Sequence, residues 1–271
     1  MFGAMFGSHI RAALKLTVIA TMTVLLLPVQ LVALVFRSRL ASRLPKAYFR
    51  WTCTILGITV KTDGLQTEER PMLFVCNHAS YLDIVVLGSQ IEGSFVSKAD
   101  VRDWPVVGVL ARLCRTVFID RRRHKTHEHR DGILGRLESG DRLILFPEGT
   151  SNDGNRTLPF KSALFSVAEY RPSGKPLKVQ PVSVAYTRLD GVPIGRGLRP
   201  LFAWYADMAL AAHFWRVASF GAIEVRIAFH QPTTIDAFAD RKALARHCHR
   251  EVAVGLSRAL AGRPPAMPAA A

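Results

Sequence analysis

An α/β fold, with a mainly parallel sheet flanked by helices, is predicted by two features of the chain, and a third adds an N-terminal membrane-anchoring helix or helical hairpin. Short apolar runs of strand length recur at Leu73 to Val75, Val117 to Ile119, Leu143 to Phe146, Val179 to Tyr186 and Val225 to Phe229. Stretches of helical period separate them, around Val106 to Leu113, Lys125 to Leu137 and Phe160 to Tyr170. Strand and helix in alternation are the pattern of parallel strands joined by crossover helices. The third observation is that Leu16 to Phe36 carries no charge, which as a helix is enough to cross a hydrocarbon core of about 30 Å.

Pro28 and Gln30 interrupt that first run, so a spanning helix and two shorter helices in one leaflet both fit. A cleavable signal peptide is the competing reading. Against it, the run outlasts a usual h-region, and Ala33-Leu34-Val35-Phe36 offers no small-residue cleavage site. Arg11 and Lys15 precede the run, whereas Arg37, Arg39, Arg43, Lys46 and Arg50 follow it. The positive-inside bias therefore puts the bulk of the chain on the cytoplasmic face of the cell (inner) membrane. The expected organisation is an anchor over 1–50, one main domain over 51–260 and a Pro/Ala-rich tail over 261–271. Ile58 to Thr62 alternates like a strand and ends in the turn signal Asp63-Gly64, and Asp236 to Leu260 reads as a closing helix.

Composition bounds the function. With 271 residues, 49% of them hydrophobic, the chain can bury a sizeable core. A formal net charge of +15 calls for an anionic partner: a membrane surface, acidic substrates and carriers, or nucleic acid. No RNA- or DNA-reading motif accompanies the charge, so nucleic acid is not expected, and a basic nucleic-acid- or anionic-membrane-binding protein stands as the competing class. Cys53, Cys76, Cys114 and Cys248 lack CxxC spacing, which points to neither a zinc site nor a disulfide framework. His124, His127 and His129, like His247 and His249, are joined by no cysteine or zincin pattern, so no metal and no cofactor are expected. GxSxG, P-loop and GxGxxG signatures are absent from the sequence, which argues against a serine hydrolase, an NTPase and a dinucleotide enzyme.

Polar clusters follow the first three buried runs. Asn77, His78, Ser80 and Asp83 follow the first, Asp120-Arg121 the second, and Glu148-Gly149-Thr150-Ser151 the third. In open parallel sheets ligands bind at that strand edge, so the three segments are expected to meet around one cleft. His78 is the only histidine with an acidic residue five positions on. Two readings fit the pair. Asp83 holds His78 in one tautomer and leaves its free nitrogen as a general base, or the histidine caps a helix whose first turn Asp83 favours. Arg121 offers a planar fork to an anionic headgroup, or pairs with Asp120 at the strand end. Lys98 closes another apolar run, as a phosphate ligand or a surface lysine. Glu148 can order a hydroxyl or an arginine, Gly149 permits close backbone approach, and a plain turn is the alternative.

The ordered set NHASYLD, VFIDR, FPEGTS and VQPVSVAY, after an apolar anchor, resembles the glycerolipid O-acyltransferase family over roughly Val60 to Phe229. The resemblance implies a cytosolic α/β acyltransferase domain docked on a membrane, moving a fatty acyl group from an acyl thioester to the free hydroxyl of a lysophospholipid. The donor would be acyl-CoA or acyl-acyl carrier protein, and the favoured acceptor 1-acyl-sn-glycerol-3-phosphate, giving phosphatidic acid. His78 is then the base, Asp83 its orienting partner, and Arg121, Glu148, Gly149 and Thr150 bind acceptor. Two positions depart from the family pattern. Arg115 stands where glycine often opens the second motif, and Ser151 replaces the arginine of Glu-Gly-Thr-Arg, the next arginine being Arg156. Related enzymes acylate lyso-ornithine lipid, whose headgroup carries a carboxylate and no phosphate, so that lipid is the alternative acceptor.

Overall fold

The computed structural model describes residues 7–119 and 133–263. It opens with α1 (His9–Val35), which Ser8 caps by accepting the Arg11 N–H at 3.3 Å. Pro28 removes one backbone donor, yet the helix runs through it unbroken. A short turn leads to α2 (Leu40–Leu56), which ends at Gly57 with φ +80°. That left-handed cap suits glycine, and an added Cβ would stand 2.7 Å from the Gly221 carbonyl oxygen. The expected boundary at position 50 falls inside α2, whose Phe49 lies against Gly88 and Phe95 of the main domain.

The strands are β1 (Ile58–Asp63), β2 (Met72–Cys76), β3 (Ser94–Lys98), β4 (Val117–Ile119), β5 (Arg142–Leu145), β6 (Lys178–Leu189), β7 (Val192–Pro193), β8 (Ile223–Phe229) and β9 (Thr233–Thr234). Among the described residues they form one sheet in the order β1-β8-β6-β2-β5-β3-β4, with β7 and β9 paired on β6. Pairs from β6 across to β4 are parallel, and β8 runs antiparallel to β6. β2 lies inside this sheet, paired with β5 on one side and β6 on the other, and every one of its residues is buried.

Alternation along β2 divides the core. Met72, Phe74 and Cys76 face one layer with Phe49, Leu56, Leu82, Val86, Phe202 and Phe220, whereas Leu73 and Val75 face the other with Leu143, Leu145, Phe165, Val179, Leu244 and Cys248. The first layer is roofed by α1, α2, α3 (Leu82–Gln90) and α5 (Leu210–Ser219), the second by helical residues 133–138 and α6 (Arg241–Leu260). The helix α4 (Val107–Leu113) stands before β4.

Expected and observed elements differ in three places. Phe160 to Tyr170 forms a 3-10 helix over Ser162–Glu169, because its inward residues Phe165 and Ala168 are three apart, and Lys161 precedes it with its N–H donated to the Pro147 carbonyl. The closing helix starts at Arg241, capped by Asp240, which accepts the Ala243 N–H at 2.7 Å. Helix α5 was not expected at all. Its short run of Ala, His, Trp and Arg shows a buried stripe of His213, Val217 and Ala218 only once it lies against α1. Arg115 adopts φ +60°, the left-handed region that favours glycine, which accounts for the family's preference at that position. Its guanidinium bonds Asp141 at 3.0 Å.

Candidate active site

Leaving β2, the chain must turn before α3, and buried polar groups hold that turn. Asn77 clamps it to β6: its amide donates to the Val184 carbonyl at 3.0 Å and its oxygen accepts the Val184 N–H at 2.8 Å. Asp83, fully buried in the first turn of α3, receives the Ala79 and Ser80 N–H groups on Oδ2 at 2.7 and 2.9 Å. The same oxygen lies 2.9 Å from His78 Nδ1. Asp83 thus caps the turn and lies within hydrogen-bond reach of the imidazole, whereas His78 does not cap the helix, which starts after Tyr81 with no side-chain cap bond. Its Oδ1 accepts the Tyr186 hydroxyl at 2.8 Å. Burial and the Asp83 charge push the Tyr186 phenol far above its ordinary range, so it stays a donor.

With Nδ1 taken, Nε2 is the nitrogen left for chemistry, and the ring keeps 20% of its surface open. Phe146 stacks on it at 4.1 Å between centroids, and Phe95 stacks on Phe146. The backbone of the histidine is held from the β5 side. Glu148 accepts the His78 N–H at 3.0 Å on one oxygen and the Asn152 amide at 2.8 Å on the other, while the Asn152 N–H and amide donate to the His78 carbonyl. Burial raises the Glu148 carboxyl to about 7, against the pull of those donors.

The other expected residues are placed less closely. Gly149 adopts φ +72°, as the tight turn after Pro147 requires, and Thr150 is exposed beside it. Ser151 turns its hydroxyl to the Trp204 carbonyl at 2.5 Å. Lys98 ends β3 in register with Ile119, on the strand edge that carries His78. Arg121 lies outside the described residues, as do Asp120, His124, His127 and His129. His247 and His249 instead pack on Phe238 and Phe160. Tyr186 and Asn152 have roles that sequence reasoning missed. A tyrosine in a largely apolar strand, beside the hydroxyls of Ser183 and Thr187, and an asparagine four residues beyond Glu148 were the available signals.

The family model described as Acyltransferase matches residues 57–185. A lyso-ornithine lipid O-acyltransferase of Brucella abortus is 42% identical over 258 residues, covering 94% of this chain and 97% of its own length. The chain belongs to the acyltransferase family. A second lyso-ornithine lipid O-acyltransferase, of Rhizobium meliloti, is 37% identical, with 94% of this chain and 88% of the relative covered. A 1-acyl-sn-glycerol-3-phosphate acyltransferase of Neisseria meningitidis is 32% identical over 169 residues, covering 61% of this chain and 62% of its own. In three dimensions the acyltransferase resembles the crystal structure of the 1-acyl-sn-glycerophosphate acyltransferase of Thermotoga maritima. That match has a TM-score of 0.64, 21% identity and coverage of 91% of this chain and 94% of the other, a likeness of fold.

Proposed function

We propose that this acyltransferase esterifies the free hydroxyl of a lyso-ornithine lipid with a fatty acyl group from an acyl thioester. The observation that carries the acceptor is the pair of near full-length relatives of that name, joined by Ser151, whose hydroxyl is spent on the Trp204 carbonyl. Lysophosphatidate, favoured by sequence alone, is the second reading, supported by the shorter neisserial match.

In the proposed reaction, neutral His78 takes the acceptor proton on Nε2 as the hydroxyl oxygen attacks the thioester carbonyl. The carbon–oxygen bond forms, the carbon–sulfur bond breaks, and the imidazolium returns its proton to the departing thiolate. Asp83, held in place by four hydrogen bonds, stabilises the imidazolium. Glu148 acts as a positioning residue through the His78 backbone, Lys98, Gly149 and Thr150 bind acceptor along the strand edge, and Arg121, outside the described residues, is proposed to bind acceptor with them. The donor is acyl-CoA or acyl-acyl carrier protein.

Residues 1–50 serve as the membrane anchor, with the active domain on the cytoplasmic face. Arg11 donates to the Ser219 carbonyl, Lys15 to those of Leu56 and Phe220, and Gln30 to those of Ala41 and Leu113. These ties hold roughly 28 Å of α1 lengthwise on the domain. Leu14, Val18, Leu25, Val29 and Val32 are left facing outward, which suits a helix lying in the interface.

The test supplies the purified full chain with an acyl thioester and a panel of lyso-lipids. Lyso-ornithine lipid should be the faster acceptor, and product formed from lysophosphatidate alone would reverse the assignment.

A further inference from the structure

Beside the turn that carries His78 opens a cleft of about 450 Å3, lined by Asp153, Asn155, Arg156, Arg196 and Arg199. Its charges come from two segments far apart in sequence, the loop after β5 and the loop after the β6–β7 hairpin. Arg199 joins them by donating to the Asn155 side-chain oxygen at 2.9 Å. Asn155 in turn gives its N–H and its amide to Asp153 at 3.1 and 3.0 Å. The Asn155 amide, with Arg156 and Arg196 adding to it, holds the Asp153 carboxyl below its usual range, so the cleft keeps a fixed negative charge. Among the described residues Arg156 and Arg196 have no hydrogen-bond or salt-bridge partner, and the buried Nε of Arg199 is also unpartnered. The cleft adjoins the site through the chain itself. Asn152, next to Asp153, holds the His78 carbonyl, and a Cβ on Gly154 would meet Ala79 at 3.7 Å.

Three guanidinium groups around one carboxylate suit a ligand that is anionic at one end and cationic at the other. We propose that this cleft seats the acceptor headgroup, the arginines gripping its carboxylate and Asp153 its ammonium, and thereby selects a zwitterionic amino-acid lipid over a phosphate monoester. The assignment rests on the lyso-ornithine reading. A phosphate monoester, with roughly −1.5 to −2 charge at neutral pH and no cation, gains from the arginines and is repelled by Asp153.

The test measures steady-state kinetics of the full chain in lipid–detergent micelles with lyso-ornithine lipid and with lysophosphatidate. Arg196→Ala and Arg156→Ala should each raise KM for lyso-ornithine lipid about 10-fold, with kcat falling less and donor KM unchanged. Asp153→Asn retains an oxygen for the Asn155 N–H, so the loop is kept. It should raise KM for lyso-ornithine lipid and lower it for lysophosphatidate, moving the preference about 10-fold toward phosphate. A variant that raises donor KM and leaves acceptor KM alone would assign the cleft to the donor and overturn the proposal while the acceptor reading stands. An equal effect of Asp153→Asn on both lipids would overturn it as well. A wild-type enzyme that ignores lyso-ornithine lipid would overturn the acceptor reading, and the zwitterion assignment with it.

Discussion

Asp83 accepts four hydrogen bonds in a fully buried position, and this concentration of donors offsets the cost of taking its side chain out of water. Each donor is therefore a separate handle on the imidazole. Tyr186→Phe removes the one from β6 with little change in shape. A hydrogen bond to a charged group contributes about 1.5–3 kcal/mol, so kcat should fall roughly 10-fold or more. KM for donor and acceptor should hold, and the acid limb of the pH–rate profile should move up. An unaltered pH–rate profile would reduce Tyr186 to packing. His78→Ala should abolish transfer in a folded protein, and Asp83→Asn should lower kcat steeply, both checked by radiolabelled acyl transfer alongside circular dichroism. Glu148 supplies a pH signature of another kind. Its folded-state pKa of about 7 lies above the ordinary value of 4.5, so the native state binds the extra proton between those values. Its contribution to stability is present below about pH 4.5 and is lost as pH rises through about 7, up to about 3 kcal/mol in all. Glu148→Gln should flatten that part of the stability curve, measured by chemical denaturation at pH 5 and pH 7.5.

At the scale of elements, α1 carries two unlike faces. Its inner face is fixed by polar ties at Arg11, Lys15 and Gln30, and its outer face exposes Val18, Leu25, Val29 and Val32. Truncation before Arg50 is a poor probe of attachment, because it removes Phe49 from the core that α2 shares with α3. Leu25→Glu combined with Val29→Glu touches only the outer face. The double variant should shift from the vesicle pellet to the supernatant in sedimentation assays while keeping its melting temperature. Retention on vesicles would place the membrane contact on another surface, such as that around Trp51 and Trp215.

For the molecule as a whole, loops that follow β2 and β5 meet at Ser151 and the cleft beside it, which is where the proposed acceptor choice is tested. Ser151→Arg restores the family's more usual residue at a half-buried position whose hydroxyl now meets the Trp204 carbonyl. On the lyso-ornithine reading it should crowd the amino-acid headgroup and slow its esterification several-fold, while transfer to lysophosphatidate is equal or faster. The ratio of the two products from a mixed-acceptor assay measures this directly.

Sequence by itself determined the alternation of strands and helices, the positions of β2 and β5 to within a residue at each end, and the spacing that brings His78 and Asp83 together. Each of these is encoded within a few residues, by apolar period or by a motif of fixed spacing. Its preference for lysophosphatidate came from family motifs alone, and the lyso-ornithine reading now rests on full-length similarity beyond those motifs. The sequence showed neither α5 nor the 3-10 form of Ser162–Glu169, since both follow from what those segments pack against. Only the tertiary structure decided that Tyr186, 103 residues from Asp83 in the chain, completes its hydrogen bonding, and that Arg196 and Arg199 face Asp153 across one cleft. Such pairings depend on the order β6-β2-β5 in the sheet. That order is chosen by burial of both faces of β2 among distant strands, and no local pattern carries it.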